Sequence, residues 1–182
     1  MEIVYRKLLQ ADAVIYRTLR LASLQISPDN FGSTYAEESV KTKLYFEALL
    51  EKGSQDSFMF GAFYEDRLIG IAGFIRFASA KIRHRGEIVQ VYVDPAYRGQ
   101  KVGEHLLRGL IEIVFQLEGV EQIELAVIAG NSPATRLYAK LGFEAIGVQR
   151  NYFKDGGRYW DQQFMQLSKE SYRERRAKSG AS

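Results

Sequence analysis

The 182-residue chain contains no cysteine, which excludes a disulfide framework, a thiolate zinc site and a cysteine nucleophile. Histidine is nearly as scarce. His84 and His105 are the only two, and no carboxylate cluster stands at ligand spacing from either, so no metal site is expected. No apolar run approaches the about 18 residues that would suggest a membrane span. The opening stretch MEIVYRKLLQAD lacks a basic segment followed by an apolar one, so no secretory signal is read and a cytoplasmic location is expected. Neither a Gly-x-Ser-x-Gly elbow nor a His-Glu-x-x-His pair occurs. The glycines at 99 and 103 are not followed by the Lys-Ser/Thr of a Walker loop. Internal repeats, low-complexity tracts and linkers are missing as well.

What is present is a packed globule. Hydrophobic residues make up 46% of the chain, with 11 Phe and 11 Tyr among them, and the length suits one domain with a sizeable core. The net charge of +3 is concentrated at the end: Lys169, Arg173, Arg175, Arg176 and Lys178 outweigh Glu170 and Glu174. The body is therefore neutral, which does not suggest a nucleic-acid footprint. A boundary is expected at 168, with a domain over 1–168 and a basic, flexible tail over 169–182.

Periodicity orders the elements. Residues 2–8 read as a strand, and 11–25 as a helix with Val14, Ile15, Leu19, Leu21 and Leu24 near one face. After a turn-rich stretch, 34–52 read as a second helix, with Leu44, Tyr45, Ala48 and Leu49 together. Residues 58–64 and 68–77 form a hairpin around Glu65, Asp66 and Arg67, apolar on both faces and so covered on each side. A strand ends at Val93. A helix then runs from about Gly99 to Glu118 with Val102, Leu106, Leu110, Val114 and Leu117 inward. Residues 123–128 are a strand, 131–141 a short helix, and 143–148 and 158–167 two closing strands. A loop holding Lys154, Asp155, Gly156 and Gly157 separates that last pair. Strands alternating with helices imply a βαβ crossover within a mixed sheet.

The stretch EIVQVYVDPAYRGQKVGE, residues 87–104, organises this pattern. A strand turns at Asp94-Pro95 and enters a helix whose first N–H groups lack partners. Those donors and the positive end of the helix dipole suit a phosphate, and Arg98 and Lys101 stand beside them. With a phosphate-binding turn, candidate bases, many tyrosines and no covalent nucleophile, the set suits direct group transfer from a phosphate-bearing carrier.

On these residues the chain resembles the GCN5-related N-acetyltransferase superfamily. YRGQKVGEHLL is similar to its pyrophosphate motif, Arg/Gln-x-x-Gly-x-Gly/Ala, and IELAVIAGNSPATRLYAKLGF to its next segment. FEAIGVQRNYFKDGGRYWDQQFMQL is similar to the closing strands of bacterial members. The resemblance covers residues 1–168 and implies an α/β (α+β) domain. Its sheet would be mixed and mostly antiparallel, of about seven strands, with helices on both faces. One departure stands out: the motif's middle glycine is Lys101 here. A residue in the first helical turn has φ near −60°, which accepts a Cβ, and the ammonium can join the phosphate.

The resemblance further implies transfer of an acetyl group from acetyl-coenzyme A directly to a primary amine, a small molecule or a peptide N-terminus. A non-catalytic acyl-coenzyme A-binding module is the alternative. The donor's arm is expected along Val91, Tyr92 and Val93, and its pyrophosphate on Arg98, Gly99, Gln100, Lys101, Val102, Gly103 and Glu104. Asn131 either hydrogen-bonds the arm or caps the helix that follows it. Tyr138, two turns further along, is the family's acid toward the leaving thiolate. Glu87, eleven residues before Arg98, is the expected base, with Glu124 or a water chain as alternatives. Strand parity sets Glu87 and Gln90 on opposite faces unless a bulge intervenes. The acceptor is expected near Phe31, Tyr35 and Tyr152. Partners are then acetyl-coenzyme A and the amine, with no nucleic acid and no membrane; a homodimer is left open.

Overall fold

Alternating runs of β-branched and aromatic residues fold into strands β1 (Ile3–Lys7), β2 (Phe58–Tyr64), β3 (Arg67–Arg76), β4 (Arg85–Val93), β5 (Gln122–Ile128), β6 (Glu144–Asp155) and β7 (Arg158–Ser168). Between them lie α1 (Ala13–Ile26), α2 (Tyr35–Ser39), α3 (Tyr45–Lys52), α4 (Val102–Gln116), α5 (Ser132–Leu141) and, at the end, α6 (Lys169–Ser179). The computed structural model describes residues 2–179. The strands form one sheet in the order β1-β2-β3-β4-β5-β7-β6. β4 and β5 are parallel, while the pairs β1–β2, β2–β3, β5–β7 and β6–β7 are antiparallel. The mixed, mostly antiparallel seven-stranded sheet expected from the sequence is the one observed. The chain divides into two units.

The first unit takes in residues up to Ile75 and Val89–Ile113. β2 is buried along nearly its whole length, and the reason lies in its neighbours. Successive side chains of a strand face opposite sides. Met59 and the Phe46 ring of α3 crowd Gly73, whereas Phe60, the next residue of β2, crowds Gly109 of α4. Helices therefore cover this part of the sheet on both faces. A methyl group at Gly73 would come within 2.5 Å of the Phe46 ring, and one at Gly109 within 2.9 Å of Phe60. Both glycines mark a close approach of backbone to a buried aromatic ring.

Two helices here differ from expectation. Residues 34–52 form α2 and α3 instead of one helix, because the stretch holds two N-terminal caps. Thr34 Oγ1 accepts from the Glu37 N–H at 3.2 Å, and Glu47 Oε2 accepts from the Leu44 N–H at 2.5 Å. The cap at Thr34 is reciprocal, since Glu37 Oε2 accepts in turn from the Thr34 N–H at 2.9 Å, and that at Leu44 is one-sided; each starts a helix, so the second interrupts the first. The resulting phase buries Leu44 and Phe46 and leaves Tyr45 52% exposed. In α1 the buried face is Tyr16, Leu19, Arg20, Ser23 and Leu24. Leu19 and Leu24 were expected there, but Val14 is 75% exposed and Ile15 also faces out. The Tyr16 ring, packed edge-on against Phe46 at 6.2 Å, sets the phase that apolar spacing alone missed.

The second unit comprises Arg76–Ile88 and the chain from Val114 onward. β5 alternates, burying Ile123, Leu125 and Val127, and pairs with β7 from Gln122↔Ser168 to Ile128↔Gln162. The β6–β7 hairpin is longer than expected. Lys154 and Asp155 pair with Tyr159 and Arg158, so the loop shrinks to Gly156 and Gly157, at φ of 50° and 81°. A two-residue turn with both central residues at positive φ matches the twist of the flanking strands. Residues 169–179 of the stretch expected as a tail form α6, whose Tyr172 packs on Phe115 at 5.3 Å. Residues 180–182 of that stretch lie outside the described residues.

Candidate functional site

In the first unit β4 leads into α4 through a turn that Asp94 builds. Its N–H donates to the Ile69 carbonyl at 2.9 Å, its carboxylate accepts from the Ala96 N–H at 3.0 Å, and Pro95 opens a short helical turn. Gly99 and Lys101 then both take positive φ, 77° and 61°. The sequence expectation for Lys101 is thereby corrected: it does not lie in the first helical turn at φ near −60°. It precedes α4, in the left-handed region where a Cβ is disfavoured. The first bond of α4 runs from the His105 N–H to the Lys101 carbonyl at 3.1 Å. The N–H groups of Val102 and Gly103 thus belong to the opening turn, ahead of the first i→i−4 bond. Arg98 is folded back onto the strand end. Its Nε donates to the Val93 carbonyl at 3.1 Å, Nη2 reaches Ser27 Oγ at 3.5 Å, and the group lies 5.7 Å from the Tyr92 ring.

Gln90, within β4, has φ of 55°. Val89 and Tyr92 pack against the same apolar cluster although they are three residues apart, which strict alternation forbids. A bulge at Gln90 resolves the conflict. The same bend aims the Gln90 side chain at α1, where Oε1 accepts from Tyr16 Oη at 2.9 Å. Phe31 sits near Tyr92, with ring centres 6.4 Å apart. Tyr35, by contrast, begins α2 and is exposed; it makes no ring contact with either.

The second unit holds the remaining candidates. Glu87 and Glu124 are direct partners in the β4–β5 register. The Glu124 carboxylate is taken up by Arg85 and receives a further bond from Gln122 Nε2 at 3.3 Å. Burial, and then the neighbouring Glu124 charge, push the Glu87 carboxyl above the usual carboxylate range. Tyr138 is buried against Phe143, ring centres 6.0 Å apart, and burial pushes its phenol up to about 12. Asn131 caps α5, its side chain accepting from the Ala134 N–H at 3.4 Å. Tyr152 is half out in solvent, stacked edge-on against Phe153 at 4.7 Å and Phe164 at 6.1 Å. Among the described residues no group of three or more His, Asp or Glu is placed to hold a metal ion, and no helix is long and apolar enough to cross a membrane.

Sequence reasoning passed over Arg20, which lies on the buried face of α1 one turn from Tyr16 and is 2% exposed. The signal was available: Tyr16, Arg20, Ser23 and Leu24 share helical spacing, but three of the four are polar and an apolar stripe was sought.

A parallel strand leading through this turn into a helix, in a mixed sheet of this order, sets the class of fold. The model of the Acetyltransferase (GNAT) family matches residues 21–143, and the chain belongs to that family. N-alpha-acetyltransferase RimI of Mycobacterium tuberculosis is 34% identical over 107 residues, 59% of this chain and 65% of that protein. L-amino acid N-acetyltransferase AaaT of Escherichia coli is 35% identical over 75 residues, 41% and 46% of the two chains. The chain thus spans less than two thirds of these relatives' lengths. The structure of yncA from Salmonella typhimurium with its cofactor acetyl-CoA aligns with a TM-score of 0.73 at 22% identity, covering 92% of this chain and 94% of that one. At that identity the likeness is one of fold.

Proposed function

We propose that this chain is an acetyl-coenzyme A-dependent N-acetyltransferase that moves the acetyl group directly to a primary amine in a ternary complex. The observation that carries the reading is the β4–α4 turn, where positive φ at Gly99 and Lys101 precedes the first-turn N–H groups of Val102 and Gly103. Such a cradle suits a pyrophosphate, and Lys101 and Arg98 add charge beside it. The backbone of Val91, Tyr92 and Val93, past the bulge at Gln90, takes the pantetheine arm as an added strand. A backbone N–H near Val91 polarises the thioester carbonyl, and the Asn131 side chain bonds the arm.

The chemistry needs a neutral amine. Glu87 accepts the amine's proton, a role supported by its raised pKa and by the pairing of Glu124 with Arg85, which leaves the rival carboxylate occupied. The amine nitrogen then bonds to the acetyl carbonyl carbon, the carbon–sulfur bond breaks, and the thiolate leaves with the electron pair. Tyr138 hydrogen-bonds the thiolate and protonates it, and the proton that the attacking nitrogen sheds as the amide forms restores the phenol; burial, which raises the phenol to about 12, keeps it protonated in the resting site. Phe31, Tyr35 and Tyr152 contact the acceptor.

The test is incubation with acetyl-coenzyme A and a panel of amino acids, polyamines and N-terminal peptides, following free thiol. Turnover with any class supports the transferase. Binding of the donor without turnover across the panel favours a non-catalytic acyl-coenzyme A-binding module, the reading that Lys101 at the motif glycine supports. Failure to bind the donor sinks both.

A further inference from the structure

Arg20 stands apart from the other cations of the first unit. Its residue is 2% exposed, and Nε and Nη1 are buried without a hydrogen-bond acceptor. Burial of an unpaired cation is unfavourable, and the same burial lowers the guanidinium pKa. The carboxylate that acts on it through space, Glu38, is already engaged, accepting from Lys41 Nζ at 2.8 Å. The surroundings hold the group in place. Its carbon lies 4.8 Å from the Phe31 ring centre, and Phe31 in turn leans on Tyr92. One turn earlier on α1, Tyr16 fixes the Gln90 side chain through Oε1, which leaves the Gln90 amide nitrogen as a further donor.

We infer that Arg20 anchors a carboxylate borne by the acceptor, so that the amine acetylated is itself an acid, such as an α-amino acid, and not a neutral amine or a polyamine. The identity of the ligand as an acceptor rests on the transferase reading above; the anion site does not. A planar fork of N–H groups matches a carboxylate in bidentate fashion. One uncompensated positive charge with a neutral amide donor near it balances a monoanion. A phosphate dianion would leave a negative charge facing Glu38. The ring of Phe31 keeps water from the guanidinium and offers an apolar wall for the acid's side chain.

The experiment compares acids with their amides, which share the side chain and replace the carboxylate by a neutral group of similar size. Thermal shift measures binding of N-acetyl-L-leucine, N-acetyl-L-methionine and N-acetyl-L-phenylalanine against the corresponding amides. Thiol release measures turnover of the free amino acids against their amides. The wild type is expected to bind the acids about 10- to 100-fold more tightly than the amides. Arg20→Met should abolish that difference, keep amide binding, and melt no lower than the parent, since an unpaired buried cation has become apolar. Arg20→Lys should recover part of the preference. Equal binding of acid and amide, no binding of any acid, or a preference that survives in Arg20→Met would each overturn the proposal. If Arg20→Met does not fold, the wild-type comparison and Arg20→Lys decide. Arg20-dependent acid binding with no acetyl transfer would sink the transferase reading and keep this site. Turnover indifferent to the carboxylate would do the reverse.

Discussion

Lys101 carries a side chain where the backbone angle favours none. A non-glycine residue at φ of 61° costs roughly 1–2 kcal/mol, of which glycine's greater freedom in the unfolded chain would cancel about half. Lys101→Gly should therefore raise stability by about 0.5–1 kcal/mol, or roughly 1–4 °C in Tm for a chain of this size. Lys101→Ala, which keeps the Cβ, should leave it unchanged. Both should weaken coenzyme A binding about fivefold at low salt and less at high salt, the mark of an exposed charge on a phosphate. Calorimetry and titration at two ionic strengths check this; a Lys101→Gly protein less stable than its parent would mean that the ammonium makes a structural contact. Glu87 offers a second test. Its carboxyl titrates above the usual range because of burial and the Glu124 charge, so kcat/KM should fall as pH drops through that raised value. Glu87→Gln should lose most below about pH 8 and recover toward pH 10, where the amine is increasingly neutral on its own. A loss uniform across pH would assign Glu87 to positioning.

Elements were legible in the sequence where one face is apolar and unambiguous. The alternation of β5 and the stripe of α4 could be read directly, since period alone decides them. The phase of α1 could not, because Tyr16, Arg20 and Ser23 are buried by tertiary packing against a pattern that looks polar. The bulge at Gln90 and the left-handed Lys101 were equally hidden: a positive φ at a residue other than glycine leaves no compositional trace. The family motifs pointed to the candidate site, but they gave no sign that Arg85 pairs with Glu124. The packing of α3 on β3 supplies a test at this scale. Gly73→Ala would drive a methyl into the Phe46 ring, which is fully buried and cannot swing away. A loss of about 1–3 kcal/mol is expected from such overpacking, measured by denaturant midpoint. The double variant with Phe46→Leu should lose less than the sum of the two single changes.

For the whole molecule the largest alkaline contributions to the pH dependence of stability come from two buried phenols. Burial raises both Tyr16 and Tyr138 above the ordinary tyrosine value, Tyr138 to about 12. A raised folded-state pKa means that stability is fully present below about pH 10, where both states are protonated. Above it the unfolded chain releases protons that the folded chain retains, so stability falls by about 1.4 kcal/mol per pH unit for each tyrosine. Urea titrations between pH 8 and 11 should show stability falling above about pH 10, and Tyr138→Phe should make the fall shallower. A flat profile would mean that both hydroxyls reach solvent. The sheet itself is uneven in its hold. β6 has β7 as its one neighbour and keeps nearly every side chain in water, while its register slips around Asn151. Its place depends on main-chain bonds with little apolar burial behind them, so it should open and reclose while the rest stays folded. Amide hydrogens in β6 should then exchange with deuterium long before those of β2, and at a rate insensitive to substitutions that lower the stability of the protein as a whole.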